Sequence, residues 1–300
     1  MLKVQGGQRG QGPASSDGSI PFRRIAIAGL GLIGGSIALA VRGRWPECRL
    51  VGVDRTSVLA HALGSAAVDR GASRLTEIGE VDLVILAAPV RQNVELLKEL
   101  TERSHGGVSI TDVGGTKRDI VQAAQALGAS MFVGGHPIGG AERGGFGFAR
   151  PDLFAGRPWV FTPDESSSPD TLGRLFQFVQ GLGAKPTTMN AADHDTLMAF
   201  LSHLPQLTAS ALMDVVGRAA TVEGLGLAGR GLIDTTRLAS SPSSVWRDVC
   251  ATNADAIGEA LDRFIERLAE LRADLRRGDT VDAIFDEAAR WRAELMKGRE

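Results

Sequence analysis

The segment Gly29-Leu30-Gly31-Leu32-Ile33-Gly34 stands between an apolar run, Arg24-Ile25-Ala26-Ile27-Ala28, and an Ala-rich apolar stretch. Few short patterns restrict a fold more tightly. Gly29 permits a tight turn out of a strand, Gly31 lets the main chain approach a pyrophosphate, and Gly34 lets the next helix pack closely on a sheet. Leu30, Leu32 and Ile33 complete the loop, and the helix start offers unpaired N–H groups and a positive dipole end to phosphate. The next apolar run, Leu50-Val51-Gly52-Val53, ends on Asp54, twenty residues after Gly34. A carboxylate there accepts the ribose hydroxyls of an adenosine half. Strand, glycines, helix and acid arrive in the order that a dinucleotide site requires. Asp54 favours NAD, because it repels a 2′-phosphate. Arg55 leaves NADP open, since it can stack on adenine, pair with a 2′-phosphate, or simply face solvent.

The rest of the chain divides into two characters. From residue 22 to about 190, apolar runs at 24–28, 50–53, 82–87, 108–111 and 130–134 alternate with helical stretches near 33–43, 57–68, 91–103 and 116–127. That alternation predicts a parallel sheet covered by helices on both faces. Trp159-Val160-Phe161-Thr162 and Pro186-Thr187-Thr188-Met189 flank a helical stretch near 169–182 and extend the sheet at one edge. From 193 to 297 the pattern is almost wholly helical, broken near 224–231 and 240–245. Asn253 is placed to cap the clearest helix. Ile257, Leu261, Phe264, Ile265, Leu268, Leu271 and Leu275 line one face of that helix. Such a stripe packs either within the chain or against a second copy. Residues 1–21 are polar and Gly-rich and read as a disordered tail without a leader's apolar core. The formal net charge of −2 gives no global field for nucleic acid or an anionic membrane. No apolar run reaches membrane-span length. Two distant cysteines, Cys48 and Cys250, suit reduced thiols in a cytoplasmic protein.

In a doubly wound sheet, ligands bind beyond the carboxyl ends of the strands. Ala88-Pro89 follows one strand, where small residues let a ribose and nicotinamide lie against the backbone. Thr111-Asp112-Val113-Gly114-Gly115-Thr116 follows the next. There Asp112 and Thr116 either edge the nicotinamide site or cap a helix. Gly134-Gly135-His136-Pro137 follows the next again. Pro137 confines His136 to an extended conformation, the glycines leave its ring accessible, and a neutral imidazole can take a proton from a hydroxyl as hydride leaves the same carbon. Ser202-His203-Leu204-Pro205-Gln206 supplies a second histidine and an amide. Arg237 can fork two hydrogen bonds onto a carboxylate or pair with Asp234 one turn away. His194-Asp195 has no third metal ligand at sensible spacing and reads as helix-start chemistry. No metal is expected, and His61 and His105 have no assigned role.

Together these segments resemble the prephenate/arogenate dehydrogenase family of tyrosine biosynthesis. The resemblance rests on Gly-Leu-Gly-Leu-Ile-Gly-Gly-Ser at 29–36, Thr-Asp-Val-Gly at 111–114, Gly-His-Pro-Ile-Gly-Gly at 135–140, Ser-His-Leu-Pro-Gln at 202–206 and Asp-Thr-Thr-Arg-Leu-Ala-Ser-Ser at 234–241. It implies an α/β fold, a Rossmann-type doubly wound parallel sheet (22–190) followed by an all-helical dimerisation domain (191–300), with the active site in the cleft. It implies NAD-dependent oxidation of prephenate or arogenate with loss of the ring carboxylate as carbon dioxide. His136 then accepts the hydroxyl proton, Arg237 holds a carboxylate, and His203 orients the substrate with Gln206 nearby. Members of the family usually carry serine after Thr-Asp-Val-Gly. This chain has Gly115, so Thr116 is the candidate replacement. Neither an N-terminal mutase nor a C-terminal regulatory domain is expected from the short polar start and the helical end, so tyrosine is expected to inhibit, if at all, by competing in the active site. The other readings are a two-domain enzyme of the β-hydroxyacid dehydrogenase or imine reductase type and a non-catalytic dinucleotide sensor. The first relies on a lysine or hydroxyl, and the second has no need of His136 with Arg237.

Overall fold

A computed structural model describes residues 20–103, 107–140 and 143–297. Most of the N-terminal tail and His105 lie outside these residues. Among the described residues, eight strands form one sheet: β1 (Arg24–Ala28), β2 (Arg49–Val53), β3 (Arg70–Ala72), β4 (Leu83–Leu86), β5 (Ser109–Asp112), β6 (Phe132–Pro137), β7 (Pro158–Thr162) and β8 (Lys185–Thr188). Their spatial order is β3-β2-β1-β4-β5-β6-β7-β8. The first six are parallel, β7 runs antiparallel to β6, and β8 is parallel to β7. The winding reverses between β1 and β4, which opens a crevice at their carboxyl ends.

Strand residues serve both faces alternately, as the pleat requires. Ile25, Ile27, Leu83 and Ile85 point into one core with Ile37, Phe161 and Phe178. Ala26, Ala28, Val84 and Leu86 point into the other with Ile110, Ile120 and Val121. The covering helices are α1 (Leu32–Arg44), α2 (Thr56–Gly64), α3 (Val90–Arg103), α4 (Arg118–Ala126) and α5 (Pro169–Gly181). Ser168 caps α5 by accepting from the Thr171 N–H, with Pro169 at the first helical position. Strand β3 has no counterpart in the sequence reading. It is three residues long, Arg-Gly-Ala, and is defined by its backbone ladder with Val51–Val53 rather than by an apolar run. Strand β6 runs further than its apolar run suggested and carries His136 and Pro137 into the ladder opposite Val160 and Trp159.

Helices α6 (Ala191–Met198), α7 (Leu204–Leu225), α8 (Arg230–Thr235) and α9 (Ser243–Thr252) follow, then α10 (Ala254–Asp274) and α11 (Asp279–Met296). The chain divides into two compact units, Met1–Asn253 and Ala254–Glu300. The second is the α10–α11 pair, which exposes Phe264, Ile265, Leu268, Phe285 and Trp291. Among the described residues, no helix is long and apolar enough to cross a membrane.

Candidate active site

The glycine loop is built by close approach. Gly29 has φ +98°, and a Cβ on it would lie 2.5 Å from the Ala87 carbonyl oxygen. A Cβ on Gly34 would lie 1.9 Å from the Gly29 oxygen, whereas nothing stands within 4 Å of one on Gly31. The main chain at Gly31 therefore faces open space where α1 begins, with no side chain capping its first N–H groups. This is the positively polarised cradle that a pyrophosphate fits. Asp54 accepts from the Leu30 N–H and the Arg55 N–H, both at 2.7 Å, which fixes its carboxylate beside the loop. The Arg55 side chain is exposed, its Nε 3.9 Å from Asp54. Leu30 corrects the sequence reading: its side chain is fully buried and its N–H is spent on Asp54, so it supports the loop rather than offering a contact to a ligand.

Gly31, Leu32, Ile33, Ala88 and Pro89 line one wall of a cleft of about 1020 Å³. Asn93, fully buried, fastens this wall by accepting from the Ala88 N–H and donating to the Leu86 carbonyl. His136, His203, Gln206 and Arg237 line the same cleft. Four segments far apart in the chain thus meet the dinucleotide loop in one cavity.

His136 is the near end of a relay. Its Nδ1 lies 2.8 Å from His194 Nε2, and His194 Nδ1 lies 2.8 Å from Asp195 Oδ1. His194 and Asp195 are both fully buried. Burial pushes the Asp195 carboxyl up, but hydrogen bonds from His194 and from the Arg118 and Lys117 N–H groups outweigh it and hold the acid below its usual range. An ionised Asp195 fixes the proton of His194 on Nδ1. His194 Nε2 then accepts from His136 Nδ1–H, and the His136 Nε2 lone pair is left free. Burial, then the neighbouring His194, Lys117 and His203, keep the His136 pKa well below that of a free histidine. Its ring is a neutral base at about pH 7. The sequence reading assigned His194-Asp195 to a helix start. Asn190 does that work instead, accepting from the Ala192 N–H, and the pair beyond it belongs to the site. Only the dipeptide itself hinted at this, because its partner stands 58 residues away.

His203 reaches the cleft through a π-helical turn, Ala199–His203, inserted between α6 and α7 ahead of Pro205. Its Nδ1 is 3.3 Å from the Asn253 Nδ2 donor, so Nε2–H is the group left to donate. Burial lowers its pKa to about 4. Asn253 is the residue before α10, and its carboxamide ties Arg118, the Asp195 carbonyl and His203 together. Arg237 sits at the start of a 3₁₀ turn, Arg237–Ser240.

Three further expectations are corrected. Thr116 is buried, its Oγ1 2.8 Å from that of Thr252, so its hydroxyl cannot stand in for a serine in the cleft. Asp112 is fully buried against Lys117 and accepts from the Gly114 and Gly135 N–H groups, so it does not face a ligand. The Gln206 amide donates to the Leu238 carbonyl at 2.7 Å and accepts from Ser241. Its polar atoms brace the turn that carries Arg237. The residues that do line the cleft at this strand end are Val113, Gly114 and, where the family-like motif breaks, Gly115. A Cβ there would meet only Val249, at 3.9 Å.

Two family models match almost end to end. They are the prephenate dehydrogenase nucleotide-binding domain, over residues 37–188, and the prephenate dehydrogenase dimerization domain, over residues 190–286. The chain belongs to the prephenate dehydrogenase family. The prephenate dehydrogenase of Bacillus subtilis is 34% identical over 265 residues, which is 85% of this chain and 71% of that protein. The cyclohexadienyl dehydrogenase of Zymomonas mobilis is 29% identical over 285 residues, 91% of this chain and 96% of that protein. Among solved structures, the prephenate dehydrogenase from A. aeolicus in complex with hydroxyphenyl propionate and NAD+ superposes with a TM-score of 0.85 at 27% identity, covering 91% of this chain and 98% of that one. At Gly115 this prephenate dehydrogenase family member leaves the cleft wall without a side chain.

Proposed function

We propose that this chain oxidises prephenate, or its amino counterpart arogenate, with NAD and releases the ring carboxylate as carbon dioxide. The observation that carries the proposal is the relay from Asp195 through His194 to a neutral His136, opening on a cleft that also holds the glycine loop and Arg237. When bound, NAD supplies the hydride acceptor. His136 Nε2 accepts the proton of the ring hydroxyl as the carbon bearing it loses hydride. The charge that develops on the ring is stabilised by Asp195 through His194. Arg237 holds a substrate carboxylate, and His203 Nε2–H donates to the substrate. Loss of carbon dioxide aromatises the ring, and His136 returns its proton to the phenolate oxygen. The protein contributes position and electrostatics to a step whose driving force lies in the substrate.

The same reading takes residues 22–190 as the dinucleotide-binding part and 191–300 as the helical part through which two copies associate. The dimerization-domain match and the exposed apolar side chains of α10 and α11 support a homodimer. Tyrosine, if it inhibits, does so in competition with the ring substrate, because it carries the product's phenol ring and a side-chain carboxylate.

The test is NADH formation with prephenate, arogenate and a simple hydroxy acid. Turnover of either cyclohexadiene and none of the hydroxy acid is the expected result. The reverse favours a β-hydroxyacid dehydrogenase, and NAD binding without any turnover favours a sensor. A second result is expected at Asp54. Asn in its place still accepts the Leu30 N–H but no longer repels a 2′-phosphate. The ratio of kcat/KM for NAD over NADP should fall by about tenfold or more in Asp54→Asn, from the loss of a charge-assisted contact. An unchanged ratio would remove Asp54 from cofactor choice.

A further inference from the structure

Behind His136 lies an ion pair to which nothing above has given a role. Lys117 and Asp112 are both fully buried and paired to each other. Between them they hold Gly135 by both of its backbone polar groups. Asp112 Oδ1 accepts from the Gly135 N–H at 3.1 Å, and Lys117 Nζ donates to the Gly135 carbonyl at 2.8 Å. Gly135 immediately precedes His136, and it must be glycine for this grip, since a Cβ there would lie 2.7 Å from the Asp112 carbonyl oxygen. Lys117 also reaches the far end of the relay: its backbone N–H donates to Asp195 Oδ1 at 2.7 Å, and that of Arg118 donates to Oδ2 at 2.9 Å. One residue therefore bonds Asp195 at one end of the path and, at the other, the residue that precedes His136.

A buried ion pair is poor support for stability alone. Desolvating two charges costs about as much as their attraction returns, and an apolar pair of similar volume is often as stable. An ion pair retained here calls for another account. From Gly135 and Lys117 we infer that the Asp112–Lys117 pair is a positioning device for the reaction proposed above: it grips the residue before His136 and so fixes the imidazole against His194. Lys117 touches neither substrate nor cofactor and acts only through His136. Among the described residues, the other titratable groups that bear on His136 are His194, with Asp195 behind it on α6, and His203 from the π turn; Arg143, Arg150, Arg237 and Asp248 line the same cleft.

The test uses the full chain with Lys117→Met and with the double variant Asp112→Asn plus Lys117→Met. The double variant leaves no uncompensated buried charge and so keeps the pair's volume without its cost. Two readouts are taken: kcat with prephenate, and the titration of the His136 ring by NMR, its resonance identified by its loss in His136→Asn. The expected result is a fall in kcat of about 10- to 100-fold from sub-ångström misplacement of the base, with KM for NAD unchanged. The His136 titration should move to higher pH by about one unit as the nearby positive charge is removed. A purely structural pair would lower the melting temperature and leave the titration in place. Wild-type kcat and an unmoved titration in either folded variant overturn the inference. If the wild-type chain does not turn over prephenate, the proposed reaction fails, and the ring titration still decides whether Lys117 governs His136.

Discussion

His136→Asn is expected to lower kcat by roughly 10²- to 10⁴-fold, the usual contribution of a positioned general base, while the affinity for NAD stays unchanged. Asparagine retains a hydrogen-bonding side chain of similar reach but cannot accept a proton. The ring it replaces is not in contact with the glycine loop, so cofactor binding measured by quenching of tryptophan fluorescence should be indifferent to it. The pH profile gives the same claim a second form. The His136 pKa is depressed by burial and by its neighbours, so the base form persists to lower pH than in a free histidine. The acid limb of kcat/KM should therefore fall below the ordinary histidine value of about 6.5, and it should vanish in the variant along with the activity. A limb at or above that value would mean that the relay does not hold the ring neutral.

Arg237→Gln is expected to act on the other side of the reaction. A guanidinium forked onto a carboxylate contributes roughly 1.5–3 kcal/mol, so KM for prephenate should rise by about 10- to 150-fold with a much smaller change in kcat. Glutamine keeps length and polarity but loses the charge and the fork. The effect should be specific to the ring substrate. The turn that carries Arg237 is braced by Gln206 through Leu238 and Ser241, and that brace is untouched by the substitution. Steady-state kinetics at saturating NAD separate the two parameters. Loss of kcat with an unchanged KM would remove Arg237 from substrate binding and make its contact one formed only in the transition state.

What could be read from the sequence was what is local. The glycine loop, its strand and its acid lie within one βαβ unit. They declare themselves because Gly29 and Gly34 answer to nearby steric demands, such as the 1.9 Å approach of a Cβ on Gly34 to the Gly29 oxygen, and Gly31 leaves the main chain open. The alternation of runs fixed the sheet and its helical cover, but β3 escaped because three residues held by a backbone ladder carry no side-chain pattern. Residues gathered from distant segments were legible in part. His136 and Arg237 stood out as chemistry without a local purpose, and both line the cleft. His194-Asp195 did not stand out, because two polar residues near a helix start have an ordinary explanation and their real partner is set by tertiary packing. Thr116 failed for the opposite reason. Its place in a motif suggested a hydroxyl at the site, but the chain turns it toward Thr252, and Val113, Gly114 and Gly115 form the cleft wall there.

The most direct measurement is a crystal structure of the chain with NAD and a hydroxyphenyl product bound together. The account predicts the phenolic oxygen within about 2.6–3.2 Å of His136 Nε2, a carboxylate on Arg237, and the ring lying against the nicotinamide. A ring bound outside the cleft, or one whose hydroxyl turns away from His136, would contradict it.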